Sequence, residues 1–291
     1  MVSPKRVSGR VGVVTDSTAR FPGNPGSLVN LAAPIVVPLS VAIEDQSLAD
    51  DLEIDSAALR TRLENGAVAT TSQPGPGAFA SAYARAAEQG YSQVVSIHLS
   101  AELSGTFHAA TMAAEVAPLP VMVVDSRCAG AALGAAVAAA ARVAADGASP
   151  YEVAQIALGV AGASSTTFIV DSLDHLRRGG RLSRPAAAVG SVLGVRPMLG
   201  LREGRIDVEY IARTRRAGLR RMAELAERFM DRGSEPEALV QHFAELSRGE
   251  ELAAAIGERI GTVPRLVDAG CVLGAHVGPG MLGIALVEQR F

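Results

Sequence analysis

Short apolar runs alternate with helical spacing through the first half of the chain. Strands are predicted by the β-branched runs at residues 11–14, 35–39, 94–99 and 120–124. Helices are predicted between and after them, at about 56–65, 79–89, 105–116 and 129–144. Pro38 interrupts the second run, which favours an edge strand or a bend there. Because crossover helices join parallel strands, this alternation predicts an α/β fold with a mainly parallel sheet flanked by helices.

The pattern changes after the small and polar stretch at residues 146–150. A helix at about 151–160 follows, then strands at 166–170, 206–211 and 284–287, with a basic helix after 211. We therefore expect an N-terminal α/β domain over residues 1–150 and a smaller C-terminal α/β domain over residues 151–291. The Gly- and Pro-rich segment at residues 70–77 is expected to be a loop.

Composition narrows the kind of ligand that the chain can hold. Aromatic residues make up only 4% of the sequence and Trp is absent, so a large apolar site has to be lined by aliphatic side chains. Such a lining suits a flexible alkyl chain better than stacked bases or a sugar. The formal net charge of −3 gives no electrostatic case for binding nucleic acid.

Cysteine usage and the apolar segments indicate a cytoplasmic protein. Cys128 and Cys271 lie far apart in small or apolar surroundings, which favours two buried thiols over a disulfide. The sequence starts without an apolar signal region and contains no apolar span of about 18 residues. No Cys or His cluster has metal-ligand spacing, so neither a metal nor a cofactor is expected.

Four clusters of small polar side chains fall where predicted strands end or helices begin, at residues 15–18, 71–74, 100–106 and 125–126. Ligands of open parallel sheets bind beyond the carboxyl ends of the strands. Hydroxyl groups and free N–H groups at a helix N-terminus also form an anion site. Each cluster alone is ambiguous, because such residues are ordinary helix caps. The candidate contacts are the hydroxyls of Thr71, Ser72, Ser100 and Ser104 and the backbone at Gly105.

The Ser104-Gly105-Thr106 turn suits a carboxylate or a phosphate, and so leaves more than one function open. The chain has no GxxxxGK[ST] phosphate loop, no GxGxxG after its first strand and no GxSxG elbow. Besides a protein that binds an alkyl chain, the main candidate is an enzyme that acts on a phosphorylated sugar. It requires a Glu or His base, which the sequence does not identify. A regulator that contacts DNA would need a basic domain, which is absent.

Histidine and arginine residues add further candidates. His276 is predicted to stand in a Gly-rich loop between apolar segments, where the backbone can approach a ligand closely. It is either a buried structural residue or a donor to an acidic ligand. Arg181 follows two glycines and either neutralises a carboxylate or pairs with a surface acid. The other histidines are expected to be structural or solvated, with His98 on a strand, His108 and His242 on helix faces, and His175 unassigned.

A basic run occupies the helix predicted after residue 211. Such a run is usually a solvated helix face, and its alternative is a docking surface for an acidic partner or an anionic membrane. Its members are Arg213, Arg215, Arg216, Arg220 and Arg221.

Several of these segments together resemble the DegV family. The four motifs that carry the resemblance are Val14-Thr15-Asp16-Ser17-Thr18, then Thr71-Ser72-Gln73-Pro74 with Phe79 and Tyr83, then Ser100-Ala101-Glu102-Leu103-Ser104-Gly105-Thr106, and finally Asp171-Ser172-Leu173 with Leu176, Gly179-Gly180-Arg181 and Ser183. Supporting matches are Val124-Asp125-Ser126, Val195-Arg196-Pro197, Arg213-Thr214 and the segment from His276 to Gly280. Each motif alone is weak, but the ordered set covers residues 11–287 and is highly specific. Two departures are Arg20, where the family often has an acidic residue, and Ala101, where it often has a second Ser.

The resemblance implies a two-domain α/β protein that binds a long-chain fatty acid between its domains. It implies that hydroxyls at Thr71, Ser100 and Ser104 hold the carboxylate, with Arg181 and His276 nearby. It also implies a carrier without catalytic activity of its own, which presents the fatty acid to a separate fatty acid kinase for phospholipid synthesis. Contact with a membrane surface would then be transient.

Overall fold

The computed structural model describes residues 9–22, 33–182, 196–232 and 235–288. Its strands are β1 (Val11–Asp16), β2 (Ile35–Val37), β3 (Ser40–Ile43), β4 (Gln46–Ala49), β5 (Ala69–Ser72), β6 (Gln93–His98), β7 (Val121–Asp125), β8 (Ser165–Ile169), β9 (Arg196–Arg202), β10 (Arg205–Ala212), β11 (Pro236–His242), β12 (Arg265–Asp268) and β13 (Leu282–Glu288). Its helices are α1 (Ser56–Glu64), α2 (Pro76–Glu88), α3 (Thr106–Ala114), α4 (Gly130–Ala145), α5 (Pro150–Ala163), α6 (Asp174–Arg178), α7 (Arg215–Met230), α8 (Leu246–Ile260) and α9 (Gly270–Val277).

Four strands of the first half form a parallel sheet in the order β2-β1-β6-β7. All six residues of β1 are buried, because helices cover both faces of the sheet. Val14 and Val94 pack against α2 and α3, while Val13 and Val95 pack against the Ala-rich α4 and α5. The predicted α/β class, with a parallel sheet flanked by helices, is confirmed. The strand interrupted by Pro38 lies at the edge of the sheet, as expected.

A second, three-stranded antiparallel sheet in the order β4-β3-β5 was not predicted. Residues 70–77 were expected to be a loop, but β5 pairs with β3 and places Thr71 opposite Val41. The strands are short and partly polar, so they lack a clear alternation of apolar and polar residues. The turn between β3 and β4 also carries no Asn-Gly or Gly-Gly signal, although Glu44 adopts a φ of 55°.

The second half contributes a six-stranded sheet in the order β10-β9-β8-β13-β11-β12. Only its β11–β12 pair is parallel, and the other pairs are antiparallel. Helices α7 and α8 cover one face through a core that includes Met198, Met222, Leu252 and Ile284. Four members of the basic run lie on α7, as the sequence indicated, and Arg213 lies in the connection between β10 and α7.

Two apolar cores contain residues from both halves of the chain. One joins β1, β6, α4 and α5 to Leu239 and Val287 of the large sheet. The other joins Leu39 and Leu59 to Phe168 and to residues of α9. The domain boundary near residue 150 stays a prediction, and packing on both sides of it is continuous.

Cysteines and histidines take the following positions. Cys128 and Cys271 are buried and free, which confirms the prediction of two thiols; burial raises the pKa of Cys128 to about 12. His98 lies on a strand and His108 on a helix, as expected, but His242 ends β11 and is not on a helix face. Within the described ranges, no helix is both long and apolar enough to cross a membrane.

Asp16 joins the ends of two neighbouring parallel strands. Its fully buried carboxylate accepts hydrogen bonds from the Thr18 N–H at 3.1 Å, the Thr18 hydroxyl at 2.6 Å and the Leu99 N–H at 3.0 Å. His98 Nδ1 lies 3.0 Å from the same carboxylate, and His98 Nε2 lies 2.7 Å from the Ser96 hydroxyl. A buried carboxylate is tolerated only when its oxygens are satisfied in this way. The first motif of the chain is therefore a brace for the sheet.

Replacing Asp16 by Asn is expected to lower the free energy of unfolding by about 3 kcal/mol. The amide NH₂ of Asn would face N–H and O–H groups that donate hydrogen bonds to the Asp16 carboxylate, so these bonds would be lost. Urea denaturation at pH 7.5 measures the change. Asp45→Asn, in the exposed turn after β3, is the control and should stay within about 0.5 kcal/mol of the parent. Equal effects of the two substitutions would show that the Asp16 network adds nothing to stability.

Candidate functional site

A cavity of about 290 Å³ opens where the small sheet, the loop after β6, the β9–β10 hairpin and α9 meet. More than half of its wall is aliphatic, and the described residues contribute no Phe or Tyr side chain to it. The apolar lining residues are Leu39, Leu99, Leu103, Ile206, Val272, Leu273 and Val277. The polar lining residues are Thr71, Ser72, Gln73, Ser104, Arg181 and His276.

Thr71 and His276 meet in the wall of this cavity, although they lie 205 residues apart in sequence. Thr71 Oγ1 lies 2.7 Å from His276 Nε2. Strand β5 positions Thr71, and the last turn of α9 positions His276. The segment around His276 was interpreted as a Gly-rich loop, but most of it is helical. Gly274 is needed inside that helix because any side chain there would collide with the Phe243 ring.

The imidazole of His276 is neutral at physiological pH. Its burial, together with the positive charges of Arg181 and His175, lowers the pKa of His276 to about 4. Gly179 lies directly against the ring, since a Cβ at this position would collide with His276 Nδ1. A neutral imidazole donates from one ring nitrogen and accepts at the other. His276 can therefore share a proton with Thr71 without forming an ion pair.

Ser104 lies at the start of α3 and faces the cavity. Its hydroxyl is 2.8 Å from the Thr106 hydroxyl and accepts a hydrogen bond from the Thr106 N–H at 3.3 Å. The helix begins at Thr106, and its N-cap residue, Gly105, has no side chain to cap it. Ser104 thus presents its hydroxyl group to the cavity close to the N-terminus of α3, where the helix dipole favours an anion.

Arg181 ties the segment after α6 to the loop after β6. Its Nε donates to the Leu103 carbonyl at 3.1 Å, and its Nη1 donates to the Gly179 carbonyl. These bonds hold the guanidinium in the cavity wall. Arg181 supplies the positive charge among the described lining residues.

Five of the seven residues predicted for the site line the cavity, namely Thr71, Ser72, Ser104, Arg181 and His276. Ser100 does not line it, because its hydroxyl is fully buried and donates to the Gly204 carbonyl at 2.8 Å. Gly105 does not line it either, because the Gln73 side chain covers it and a Cβ there would collide with that amide. Gln73 was part of the second motif but was not assigned to the site. Ser183 and Val195, from the other motifs, lie outside the described residues.

The arginines after β10 differ in their environments. Arg215 donates to Asp171 and, at 2.9 Å, to the Gly280 carbonyl. Arg221 pairs with Glu224 at 3.2 Å. Arg213 and Arg216 are exposed and have no partner among the residues that the structure describes. The described ranges also contain no group of three or more His, Cys, Asp or Glu side chains that could hold a metal ion.

The fold and the cavity define an α/β protein with a mainly aliphatic cavity and a small polar cluster in its wall. This chain belongs to the DegV family, because the family model described as "Uncharacterised protein, DegV family" matches residues 10–289. It is 41% identical to a DegV domain-containing protein of Streptomyces coelicolor over 290 residues, which cover 97% of this chain and all of that one.

Solved structures of the family have the same fold. A fatty-acid-binding DegV family protein from Thermus thermophilus is 29% identical, with a TM-score of 0.85 over 96% of this chain and 99% of that one. DegV from Bacillus subtilis, described as a fatty acid binding protein, is 29% identical, with a TM-score of 0.86 over 97% of this chain and all of that one.

The depressed pKa of His276 makes stability depend on pH. The unfolded chain, with an ordinary histidine pKa near 6.5, binds more protons than the folded protein between about pH 6.5 and pH 4. The contribution of His276 to the free energy of unfolding is therefore fully present above this pH window and is lost as the pH drops through it. From pH 7.5 to pH 5, the parent should lose about 2 kcal/mol more unfolding free energy than His276→Asn.

Urea denaturation of both proteins at the two pH values measures this difference. His108→Asn, on the exposed face of α3, is the matched control and should lose as much as the parent. Equal losses in the parent and in His276→Asn would rule out a neutral, protected imidazole at this position.

Proposed function

We propose that this protein binds one long-chain fatty acid in the cavity and presents its carboxylate to a separate fatty acid kinase. The observation that carries the proposal is a mainly aliphatic cavity with Thr71, Ser104 and His276 in its wall. The fatty acid binding of the Thermus thermophilus and Bacillus subtilis relatives supports the same ligand class.

The acyl tail accounts for most of the affinity. Burying one methylene stabilises a complex by about 0.8 kcal/mol, so a C16 tail offers roughly 10 kcal/mol before the cost of association. One hydrogen bond to a charged head group adds about 1.5–3 kcal/mol at most. The tail therefore sets how tightly the ligand is held, and the polar cluster sets which way it lies.

The Thr71–His276 pair is suited to holding a carboxylate. When the neutral imidazole carries its proton on Nε2 and donates it to Thr71 Oγ1, the Thr71 hydroxyl keeps its own proton for a ligand. Ser104 supplies a second hydroxyl at the N-terminus of α3, and Arg181 supplies positive charge in the same wall. A carboxylate bound here meets one cation and several neutral donors, which favours reversible binding.

The main alternative is an enzyme that acts on a phosphorylated sugar through the Ser104-Gly105-Thr106 turn. Seven aliphatic residues line the cavity, and they offer no partners for the hydroxyl groups of a sugar. Leaving those hydroxyl groups unpaired in an apolar wall costs about 1–3 kcal/mol each. The lining therefore favours the acyl chain.

In the proposed reaction, the kinase supplies ATP and this protein supplies the carboxylate. A carboxylate oxygen attacks the γ-phosphorus of ATP, which yields an acyl phosphate and ADP. The chain itself has no phosphate loop to hold the nucleotide. Arg213 and Arg216 offer exposed positive charge for an acidic partner surface, and the neighbouring Arg215 bonds to Gly280, which lies four residues after His276.

Purified protein is expected to carry one long-chain fatty acid per chain, found by extraction and mass spectrometry.

Thr71→Ala and Ser104→Ala should still bind fatty acid, with affinity lower by roughly ten- to hundredfold, because each loses one charge-assisted hydrogen bond and keeps the buried tail. Ser81→Ala removes a hydroxyl from the exposed side of α2 and should bind like the parent. A sugar phosphate in the extract of the purified protein, or no binding of added fatty acid, would contradict the proposed binding of a fatty acid.

Acyl phosphate formation, trapped with hydroxylamine, tests presentation. The protein alone with palmitate and ATP should form none, and addition of its kinase should start the reaction. Arg213→Glu/Arg216→Glu should slow the coupled reaction at least tenfold at unchanged fatty acid affinity, since reversed charges repel an acidic partner. Arg142→Glu, exposed on α4, is the control. Robust acyl phosphate formation without a kinase would overturn the carrier assignment.

A further inference from the structure

The hydroxyl of Ser100 connects the two halves of the chain across one side of the cavity. It donates to the carbonyl of Gly204, 104 residues away, at 2.8 Å and is fully buried. Gly204 lies in the turn between β9 and β10 with a φ of 83°, and a Cβ there would collide with Ser100 Oγ. The hairpin turn therefore fits against Ser100 only because residue 204 is a glycine.

An ion pair beside this hydrogen bond joins the same two segments. Arg205 is the first residue of β10, and its guanidinium donates to the Glu102 carboxylate at 2.7 and 2.8 Å through two nitrogens. Both side chains are exposed, so the pair contributes modestly to stability. The ion pair nevertheless joins the same two segments as the buried hydrogen bond, because both contacts hold the hairpin turn to the loop after β6.

The contact matters for the cavity because of the residue that follows it. Ile206 is buried and lines the cavity, and it pairs with Leu182 in an isolated bridge. The loop after β6 contributes Leu103 and Ser104 to the same cavity wall. Separation of Gly204 from Ser100 would withdraw Ile206 from the cavity, while Thr71 and His276 would stay in place.

We propose that Ser100 and Glu102 are positioning residues, which latch the β9–β10 hairpin across the cavity and so control the rate at which a fatty acid enters and leaves. The latch consists of the Ser100–Gly204 hydrogen bond and the Glu102–Arg205 ion pair. This inference rests on the proposed binding of a fatty acid in the cavity. It gives Ser100 a role other than direct contact with the carboxylate.

Stopped-flow exchange of a fluorescent long-chain fatty acid tests the latch. Ser100→Ala should raise the dissociation rate constant three- to tenfold and should raise the association rate constant in parallel, so that the dissociation constant changes less than twofold. Glu102→Arg and Arg205→Glu should each give a two- to fivefold increase in both rates. The double exchange Glu102→Arg/Arg205→Glu should return the rates to within twofold of the parent.

A matched control lies in the same hairpin. Arg202 pairs with Glu209 at 3.1 Å within the hairpin, so Arg202→Glu removes an ion pair without touching the latch and should leave exchange unchanged. Thr71→Ala should raise the dissociation rate alone, since it loosens the head group. A faster dissociation in Ser100→Ala with unchanged association would mean that Ser100 contacts the ligand, and would overturn the latch.

Hydrogen exchange of the ligand-free protein separates the latch from the proposed function. Amides of β10 should exchange at least threefold faster in Ser100→Ala and in Glu102→Arg than in the parent, and the double exchange should restore protection. This result is expected even if the parent binds no fatty acid, in which case only the proposed function fails. Unchanged protection of β10 in both variants would overturn the latch.

Discussion

One apolar core, shared by the two halves of the chain, holds the cavity in its shape. Leu39 and Leu59 from the first half pack with Phe168, Phe243 and the buried face of α9 from the second. Helix α9 lies against β3, β5, α1 and α6 at once. Because this core fixes α9 against β5, Thr71 and His276 meet across 205 residues of sequence. Loss of that packing would separate Thr71 from His276.

Charge is distributed so that the polar wall of the cavity stays nearly neutral. His276 is kept uncharged by burial and by the positive charge of Arg181, while the buried carboxylate of Asp16 is satisfied by hydrogen bonds. The same arrangement leaves Arg181 as the cation among the lining residues. For a carrier of the kind proposed, one cation and several neutral donors orient an anionic head group without the cost of releasing it from a tight ion pair.

Local patterns predicted the elements of the parallel sheet because buried parallel strands are runs of β-branched residues with helices between them. They failed where tertiary contacts replace local signals. Strands β3 to β5 are short and partly polar, and α9 carries glycines that suggest a loop. Residue 274 has to be a glycine in this helix because the Phe243 ring leaves no room for a side chain there. Spacing along the chain does not reveal this contact.

The sequence by itself determined the α/β class, the family, the aliphatic character of any large site and the short list of hydroxyl groups that a ligand could meet. Only the tertiary structure decided which of those groups face the cavity. Ser104 lines it, whereas Ser100, four residues earlier, turns to the Gly204 carbonyl. The direction of each side chain depends on partners contributed by distant strands and turns. Such partners are fixed by packing of the whole chain, and spacing within a motif does not specify them.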